Sequence, residues 1–336
     1  MKNRFFRFVF SSVLFFCVNV PGTPPSPTEF SGPRWLPQTK GPGFPVNYIR
    51  IANGKLFALG ATHRQIGLSL DATNWTEVYS QSDSASSFND LTFGTGLYVA
   101  VGFQGIILTS PNGSQWTQIE VGAADSKPAF FQVLFANNKF FAYSTQEIWT
   151  SSDGATWTNA SVNPVDFARS MVFTNDLFVA AGTMTYSDGA PEPFTQFRTD
   201  GIISTSSDGI TWTERFRQIN PAIPFEIVYA GGTFVVPMGF MVASTDGTNW
   251  TIRAPAPADP AVKPPQWAAF GKGIFLSTGE EGTPLFVSTN AVDWKTVSGP
   301  RGSGANLVFF NNHFMGIFAT GAVAFLDPAP AFKDPG

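Results

Sequence analysis

The sequence has one cysteine, Cys17, and two histidines, His63 and His313, in 336 residues. One cysteine excludes a disulfide framework, and so few thiols and imidazoles cannot build a His/Cys metal site. Charge is scarce as well: 13% of residues are Asp, Glu, Lys or Arg, and the net charge is −4. No basic footprint exists, so no nucleic-acid partner is expected. No Gly-rich phosphate loop precedes a helical pattern, no Ser-His-Asp grouping stands out, and no cofactor is implied. Helical periodicity is missing throughout. The most prominent apolar run, Phe8–Val20, is 13 residues long. That is too short to cross a bilayer comfortably, so no integral membrane protein is expected.

That run has a different meaning. Lys2, Arg4 and Arg7 precede it, and Pro21-Gly22-Thr23-Pro24-Pro25 follows it. Basic, apolar and breaking segments in this order read as an export signal over residues 1–22, cut between Val18 and Thr23. A secreted, periplasmic or cell-envelope protein is expected. Lipidation at Cys17 is disfavoured, because Leu14-Phe15-Phe16 is bulkier than a lipoprotein cleavage site accepts. A Pro-rich leader follows over residues 23–32.

What the chain does have is apolar and aromatic. Hydrophobic residues make up 43%, with 35 phenylalanines. This suits half-buried strands. Ser151-Ser152-Asp153-Gly154-Ala155-Thr156-Trp157 recurs as Ser110-Pro111-Asn112-Gly113-Ser114-Gln115-Trp116, Ser206-Ser207-Asp208-Gly209-Ile210-Thr211-Trp212 and Ser244-Thr245-Asp246-Gly247-Thr248-Asn249-Trp250. Looser copies run Ser69 to Trp75, built on Asp71, and Ser288 to Trp294, built on Asn290. A second turn, rich in Gly and Asn, is equally regular: Asn53-Gly54, Gly94-Thr95-Gly96, Asn137-Asn138, Asn175-Asp176, Gly231-Gly232, Lys272-Gly273 and Asn311-Asn312. Both residue types tolerate positive φ. Each unit then reads strand, Gly/Asn turn, strand, short strand, Asp turn, strand.

The tryptophans Trp35, Trp75, Trp116, Trp157, Trp212, Trp250 and Trp294 are spaced 40, 41, 41, 55, 38 and 44 residues apart. A period near 40 with four short strands is the signature of propeller blades. Seven units give an all-β, seven-bladed β-propeller of four-stranded antiparallel blades. The last unit lacks its fourth strand, and Arg34-Trp35-Leu36 stands one period before the first. The N-terminal strand is therefore expected to complete the C-terminal blade. The single propeller spans residues 33–328, and a tail spans 329–336.

The repeated Asp or Asn (Asp71, Asn112, Asp153, Asp208, Asp246 and Asn290) is expected to staple the turn through backbone N–H groups. Trp is expected to wedge between neighbouring blades. Sixfold repetition places these acids in the scaffold rather than in a catalytic role, and no catalytic residue is assigned. The pattern resembles the Asp-box, or bacterial neuraminidase repeat, of the WD40/YVTN/BNR-like propellers found in sialidases, sortilin-type receptors and photosystem II assembly factors. It departs from that box in two ways. Trp follows Asp by four residues where the usual box has five, and two copies carry Ala72 and Ala291 in place of Gly. The resemblance implies a propeller from about Arg34 to Asp327 and leaves the activity open.

Both turn types fall on one face, so the inter-blade and strand-two-to-three loops share the other. That second face is the expected site for a protein or glycan ligand. Its candidates are His63, Arg64, Gln104, Glu147, Glu280 and Glu281. The 55-residue spacing adds an inserted loop from Thr183 to Asp200, with Tyr186, Phe194, Phe197 and Arg198. The expected role is a non-catalytic binding or scaffold module, acting as a monomer. The alternative is a divergent sialidase-like glycosidase, which needs clustered arginines and a Tyr/Glu pair. Arg50 lacks the Arg-Ile-Pro motif that sialidases carry, and no Tyr has an evident Glu partner.

Overall fold

The structure, a computed structural model, describes residues 34–38, 41–81, 86–123, 125–145, 147–162, 167–187, 197–219, 226–254, 265–279, 285–297, 306–317 and 323–327. The signal, leader and tail assigned from sequence lie outside them. The described residues form strands and turns, without helix.

Strand β1 (Arg34–Gln38) comes first. The first sheet holds β2 (Val46–Ala52), β3 (Lys55–Gly60), β4 (Arg64–Ser69) and β5 (Thr76–Gln81), and the second β6 (Phe88–Gly94), β7 (Leu97–Gly102), β8 (Ile106–Ser110) and β9 (Thr117–Glu120). The third holds β10 (Phe130–Ala136), β11 (Lys139–Ser144), β12 (Glu147–Ser151) and β13 (Thr158–Val162). The fourth holds β14 (Phe167–Thr174), β15 (Leu177–Ser187), β16 (Phe197–Ser206) and β17 (Thr213–Ile219). The fifth holds β18 (Val228–Ala230), β19 (Thr233–Pro237), β20 (Met241–Ser244) and β21 (Thr251–Ala254). The sixth holds β22 (Trp267–Gly271), β23 (Ile274–Thr278), β24 (Leu285–Ser288) and β25 (Lys295–Val297). The seventh contains β26 (Leu307–Phe310), β27 (His313–Ile317) and β28 (Val323–Asp327), and its fourth member is β1.

Each sheet is antiparallel, and in the first six the strands pair in chain order. The Gly/Asn turns take positive φ, as at Asn53 (47°) and Gly54 (71°). In the seventh sheet, β28 pairs with β1 from Arg34↔Asp327 to Gln38↔Val323. The first strands touch in sequence, β2 with β6, β6 with β10 and onward to β22 with β26, and β26 also touches β2.

Apolar clusters fill the spaces between successive sheets. Phe57, Leu59 and Ile66 of the first meet Tyr98, Ala100 and Leu108 of the second. Val99 and Val101 then meet Phe140, Ala142 and Trp157. One cluster joins the seventh sheet to the first: Phe310 and Met315 pack with Ile49, Leu56, Ala58 and Ala72. Burying faces on both sides explains why most second strands are apolar at nearly every position rather than alternating.

The Ser-x-Asp turns form as read. Asp153 Oδ1 accepts the N–H of Ala155 (2.8 Å) and Thr156 (2.7 Å), and Ser151 Oγ accepts that of Gly154 (2.8 Å). Asn112 and Asn290 make the same pair of bonds at 2.9 Å. The indole N–H of Trp157 closes the turn on the carbonyl of Gly154 (2.9 Å).

One expectation needs correction. The stretch from Thr183 to Asp200 is read from sequence as a loop, yet its described part is sheet. Strands β15 and β16 continue as a ladder through Met184↔Asp200, Tyr186↔Arg198 and Ser187↔Phe197. Strand β15 has 11 residues and β16 has 10, where the other second and third strands have four to six. Thr183, Thr185 and Thr199 suit an exposed ladder as well as a loop, which is why the sequence misleads here.

Candidate functional site

Antiparallel order puts the two turn types on one face and the β3–β4, β7–β8, β11–β12 and β15–β16 connections on the other. On this second face the predicted residues fall into separate groups. Arg64 opens β4 and is buried. Its guanidinium donates to Gln81 Oε1 (3.0 Å) and Gln104 Oε1 (2.8 Å), which ties the first sheet to the second. Gln104 holds φ 64° beside Gly105 at 67°, a left-handed turn that presents its amide to Arg64. His63 is exposed at the same corner, and its carbonyl accepts the N–H of Gln65 (2.8 Å). Glu147 stands apart on β12, where Oε2 accepts the indole N–H of Trp149 (2.8 Å). Phe194, Glu280 and Glu281 lie outside the described residues, and Phe197 is described only as a strand residue.

The extended hairpin brings more together. Tyr186 and Arg198 are cross-strand partners, and Arg198 and Asp200 alternate onto the same face. Asp200 is fully buried and accepts from Arg198 Nε and Nη2, both at 2.9 Å, and from Arg217 Nη1 at 3.2 Å. The two guanidiniums lie 5.5 and 4.7 Å from the Tyr186 ring centroid. Arg217 also pairs with Glu214, and that hydrogen bond leads the set that holds its guanidinium above the usual range. A buried carboxylate carrying two arginines costs desolvation that only full pairing offsets. The result is a fixed wall of one ring and two cations. Arg217 lies outside the candidate insertion, and strand pairing is what joins it and Asp200 to Tyr186.

A third group escaped the sequence reading. Arg50 of β2 donates through Nε to Asp90 Oδ1 and through Nη1 to the Ile49 carbonyl (2.9 Å). Asp90 Oδ2 accepts the N–H of Val133 on β10 (2.9 Å), so one carboxylate links three sheets. Ser170 does the same to the N–H of Ile227 (2.9 Å). Glu226 stands near enough to feel both Arg50 and Asp90. Burial pushes its carboxyl up to about 7, with Arg50 opposing and Asp90 reinforcing. Burial works against the Arg50 charge, yet Asp90 and Glu226 hold it above its ordinary range. Asp90, Ser170 and Glu226 each stand five residues before the first tip residue of their unit's Gly/Asn turn, Thr95, Asn175 and Gly231. That offset is what they share, while the residue type at this place changes from unit to unit.

No protein-family model matches the chain, and no curated protein sequence matches it. Solved structures do. The virginiamycin B lyase of Staphylococcus aureus matches at 13% identity over 88% of this chain and 98% of that one, with a TM-score of 0.65. YCF48 bound to a D1 peptide matches at 14% identity over 88% and 96%, with a TM-score of 0.61. The Cps50 (Swd1) β-propeller domain of Myceliophteria thermophila matches at 10% identity over 88% and 99%, with a TM-score of 0.55. The fold is a β-propeller. At such identities the likeness shows architecture and nothing of activity.

In a propeller the first strand of each sheet lines the centre. Arg50 of β2 and Asp90 of β6 therefore belong to the central lining of this propeller, with Glu226, two residues before β18, near enough to feel both, while the Tyr186 wall rises from the fourth sheet. Among the described residues no helix is long and apolar enough to cross a membrane, and no group of three or more His, Cys, Asp or Glu residues is placed to hold a metal ion.

Proposed function

We propose that the chain is an exported, seven-bladed β-propeller of the Asp-box type, closed by β1 and acting as a non-catalytic recognition module for a protein or glycan. The wall on the fourth sheet carries this reading: Tyr186 fixed beside Arg198 and Arg217, both anchored on buried Asp200. An aromatic ring and cations held in place lose little freedom on binding, which favours recognition. The pairing of β1 with β28 and the contact of β26 with β2 support seven blades and a closed ring. The Ser-Asp-Gly turn geometry supports the Asp-box assignment, and the basic and apolar N-terminal pattern supports export. The residue limits are those read from sequence: a signal over 1–22, a leader over 23–32, the propeller over 33–328 and a tail over 329–336.

A sialidase-type hydrolase would need guanidiniums open to a substrate carboxylate. Arg50 instead sits on Asp90, and Arg198 and Arg217 sit on Asp200. No observation favours that alternative.

The test shortens the β15–β16 hairpin by replacing residues 184–200 with an Asn-Gly turn, which keeps Thr183 opposite Gly201 and removes buried Asp200 together with Arg198. Capture from the native secretome and binding on a glycan array are compared with the parent protein. Loss of a ligand at unchanged melting temperature is expected. A shortened variant that captures the same ligands equally well removes the wall from the site.

A further inference from the structure

In the first six sheets the outer strand follows its neighbour through the short turn that ends at a tryptophan. The seventh sheet has no such turn. Its outer strand, β1, comes from far earlier in the chain and meets β28 from Arg34↔Asp327 to Gln38↔Val323, with no tight turn joining the two.

The seventh and first sheets are joined without β1. Asn306 Nδ2 donates to the Asn47 carbonyl (2.7 Å), and Asn311 Nδ2 donates to that of Leu70 (3.2 Å). Phe310 and Met315 share an apolar cluster with Ile49, Leu56 and Ala58. Departure of β1 thus leaves this inner contact intact and exposes one edge of β28. An open edge is a template for another strand.

The tether of β1 is short. Pro42 and Phe44 sit close against Gly67 of β4, 3.1 and 3.3 Å from where its Cβ would be. Only residues 39–41 separate that anchor from β1, a reach of about 10 Å. A released β1 can therefore enter another molecule only if the two seams come close together. Each molecule then offers its own β1 to the other, which is a reciprocal, two-fold exchange rather than an open chain.

We propose that the outer edge of β28 is a strand-acceptor site. In a monomer it holds β1 of its own chain. In a strand-exchanged dimer it holds β1 of a second copy. The occupant follows from the register, since a second copy presents the identical Arg34–Gln38 strand. The proposal rests on the closed-ring reading above and is independent of any ligand.

Pro37 faces Ala324 and gives the test its site. Proline fits an edge strand where its missing N–H would face solvent, and that is a non-hydrogen-bonded pair, the closer kind. All proteins carry Cys17→Ser. One protein carries both Pro37→Cys and Ala324→Cys. Two others carry one of these each and differ in tag length. A control couple carries Val99→Cys and Thr109→Cys on separate chains, partners within the β7–β8 pairing. Mild oxidation of the doubly substituted protein is expected to give an intrachain disulfide in a monomer. Mixing the single variants at high concentration, warming below the unfolding transition and then oxidising is expected to give a mixed-tag disulfide dimer. Its light-scattering mass should be twice the monomer mass with unchanged circular dichroism, and the control couple should give none. If the intrachain bond forms and the mixed dimer does not exceed the control, exchange is wrong and the ring stands. If the intrachain bond itself fails to form, the seam pairing is wrong, and the proposal falls with it.

Discussion

A single substitution pattern explains how the six Asp turns differ. The indoles of Trp75, Trp157, Trp250 and Trp294 each donate to the carbonyl three residues before them, at 2.8 to 3.2 Å. Those of Trp116 and Trp212 make no hydrogen bond. The cause lies one sheet earlier, at the third residue of the second strand. That residue is Phe57 before Trp116 and Phe141 before Trp212, but Met315, Val99, Val179 and Val235 before the others. Phe57 meets Trp116 edge-on, with centroids 6.3 Å apart. At Gly209 the vacated carbonyl accepts the Tyr143 hydroxyl (3.1 Å) instead. The same neighbours decide between Gly and Ala. A Cβ on Gly154 would stand 2.5 Å from Leu97, and on Gly247 2.6 Å from Leu177. Where His313 or Thr233 replaces that leucine, Ala72 and Ala291 sit buried at φ 68° and 60°. Gly154→Ala should therefore cost about 2 kcal/mol or more in denaturant unfolding, from positive φ plus the clash. Ala291→Gly should stay within about 1 kcal/mol of the parent, since relief of strain offsets the lost methyl.

Titration at these turns has a defined sign. Backbone N–H bonds, from Thr156 to Asp153 and from Thr211 to Asp208, lower both carboxyls to about 2. Their unfolded value is near 3.9, so their stabilisation is complete above about pH 4 and is lost as pH falls toward about 2. Glu226 acts oppositely. Its folded value, raised to about 7 mainly by burial, lies above its unfolded value of about 4.3, so stability declines as pH climbs between the two. Unfolding midpoints followed from pH 2 to 8 should rise through the acid region and then fall toward neutrality. Glu226→Gln should flatten the fall alone, and Asp153→Asn with Asp208→Asn the rise alone. A Glu226→Gln profile that still declines to the same extent above pH 5 would show that this carboxyl is not buried against charge.

At the scale of the strand, each sheet leans on the next through a large residue over a small one. Phe135 covers Gly94, where a Cβ would stand 2.0 Å from its ring, and Phe309 covers Gly271 at 2.1 Å. Phe93, Phe173, Tyr229 and Phe270 hold the matching place in their own units, preceded one unit earlier by Ala52, Ala136, Thr174 and Ala230. Between the seventh sheet and the first the order is reversed: Phe310 is buried at the small position, and Ile51, at the aromatic one, is 43% exposed. Phe310→Ala should lose about 3 kcal/mol by leaving a cavity. Adding Ile51→Phe should restore a measurable part of that loss in a double-mutant cycle, and strict additivity would show that the two positions do not share the space. The turns and the four-strand units were legible in the sequence because Gly, Asn and Asp do the same local work in every copy. The central residues were not. Tyr48, Asp90, Gln132, Ser170 and Glu226 hold one place in five units with five chemistries, and repetition hides a position that varies. The extension of β15 and β16 is not legible in the sequence, because its ladder partners, Tyr186 and Arg198, lie 12 residues apart across a connection with no tight-turn signal.

For the whole molecule, the seventh sheet sets the order of events. Its pairing joins residues near 34 to residues near 327, the largest sequence separation among the strand pairs, while every other pairing is between adjacent strands in sequence. Distant contacts form late, because loop entropy opposes them until the intervening chain has folded. Pulse-labelled hydrogen exchange during refolding should protect β7 and β8 before β1 and β28. Equal protection times would mean that the ends meet first and the sheets fill in behind them.

The pairing of β1 with β28 also bears on how a cell makes this protein. Strand β1 is synthesised before every other described strand and has to wait for β28, which follows them all. A ribosome that stalls before Val323 releases a product whose early sheets are in order but whose opening segment has nothing to bind. Such a product carries β1 without its partner strand, the kind of exposed segment that proteases and chaperones grip. Synthesis as far as β28 is thereby written into the shape of the protein as a condition for covering β1.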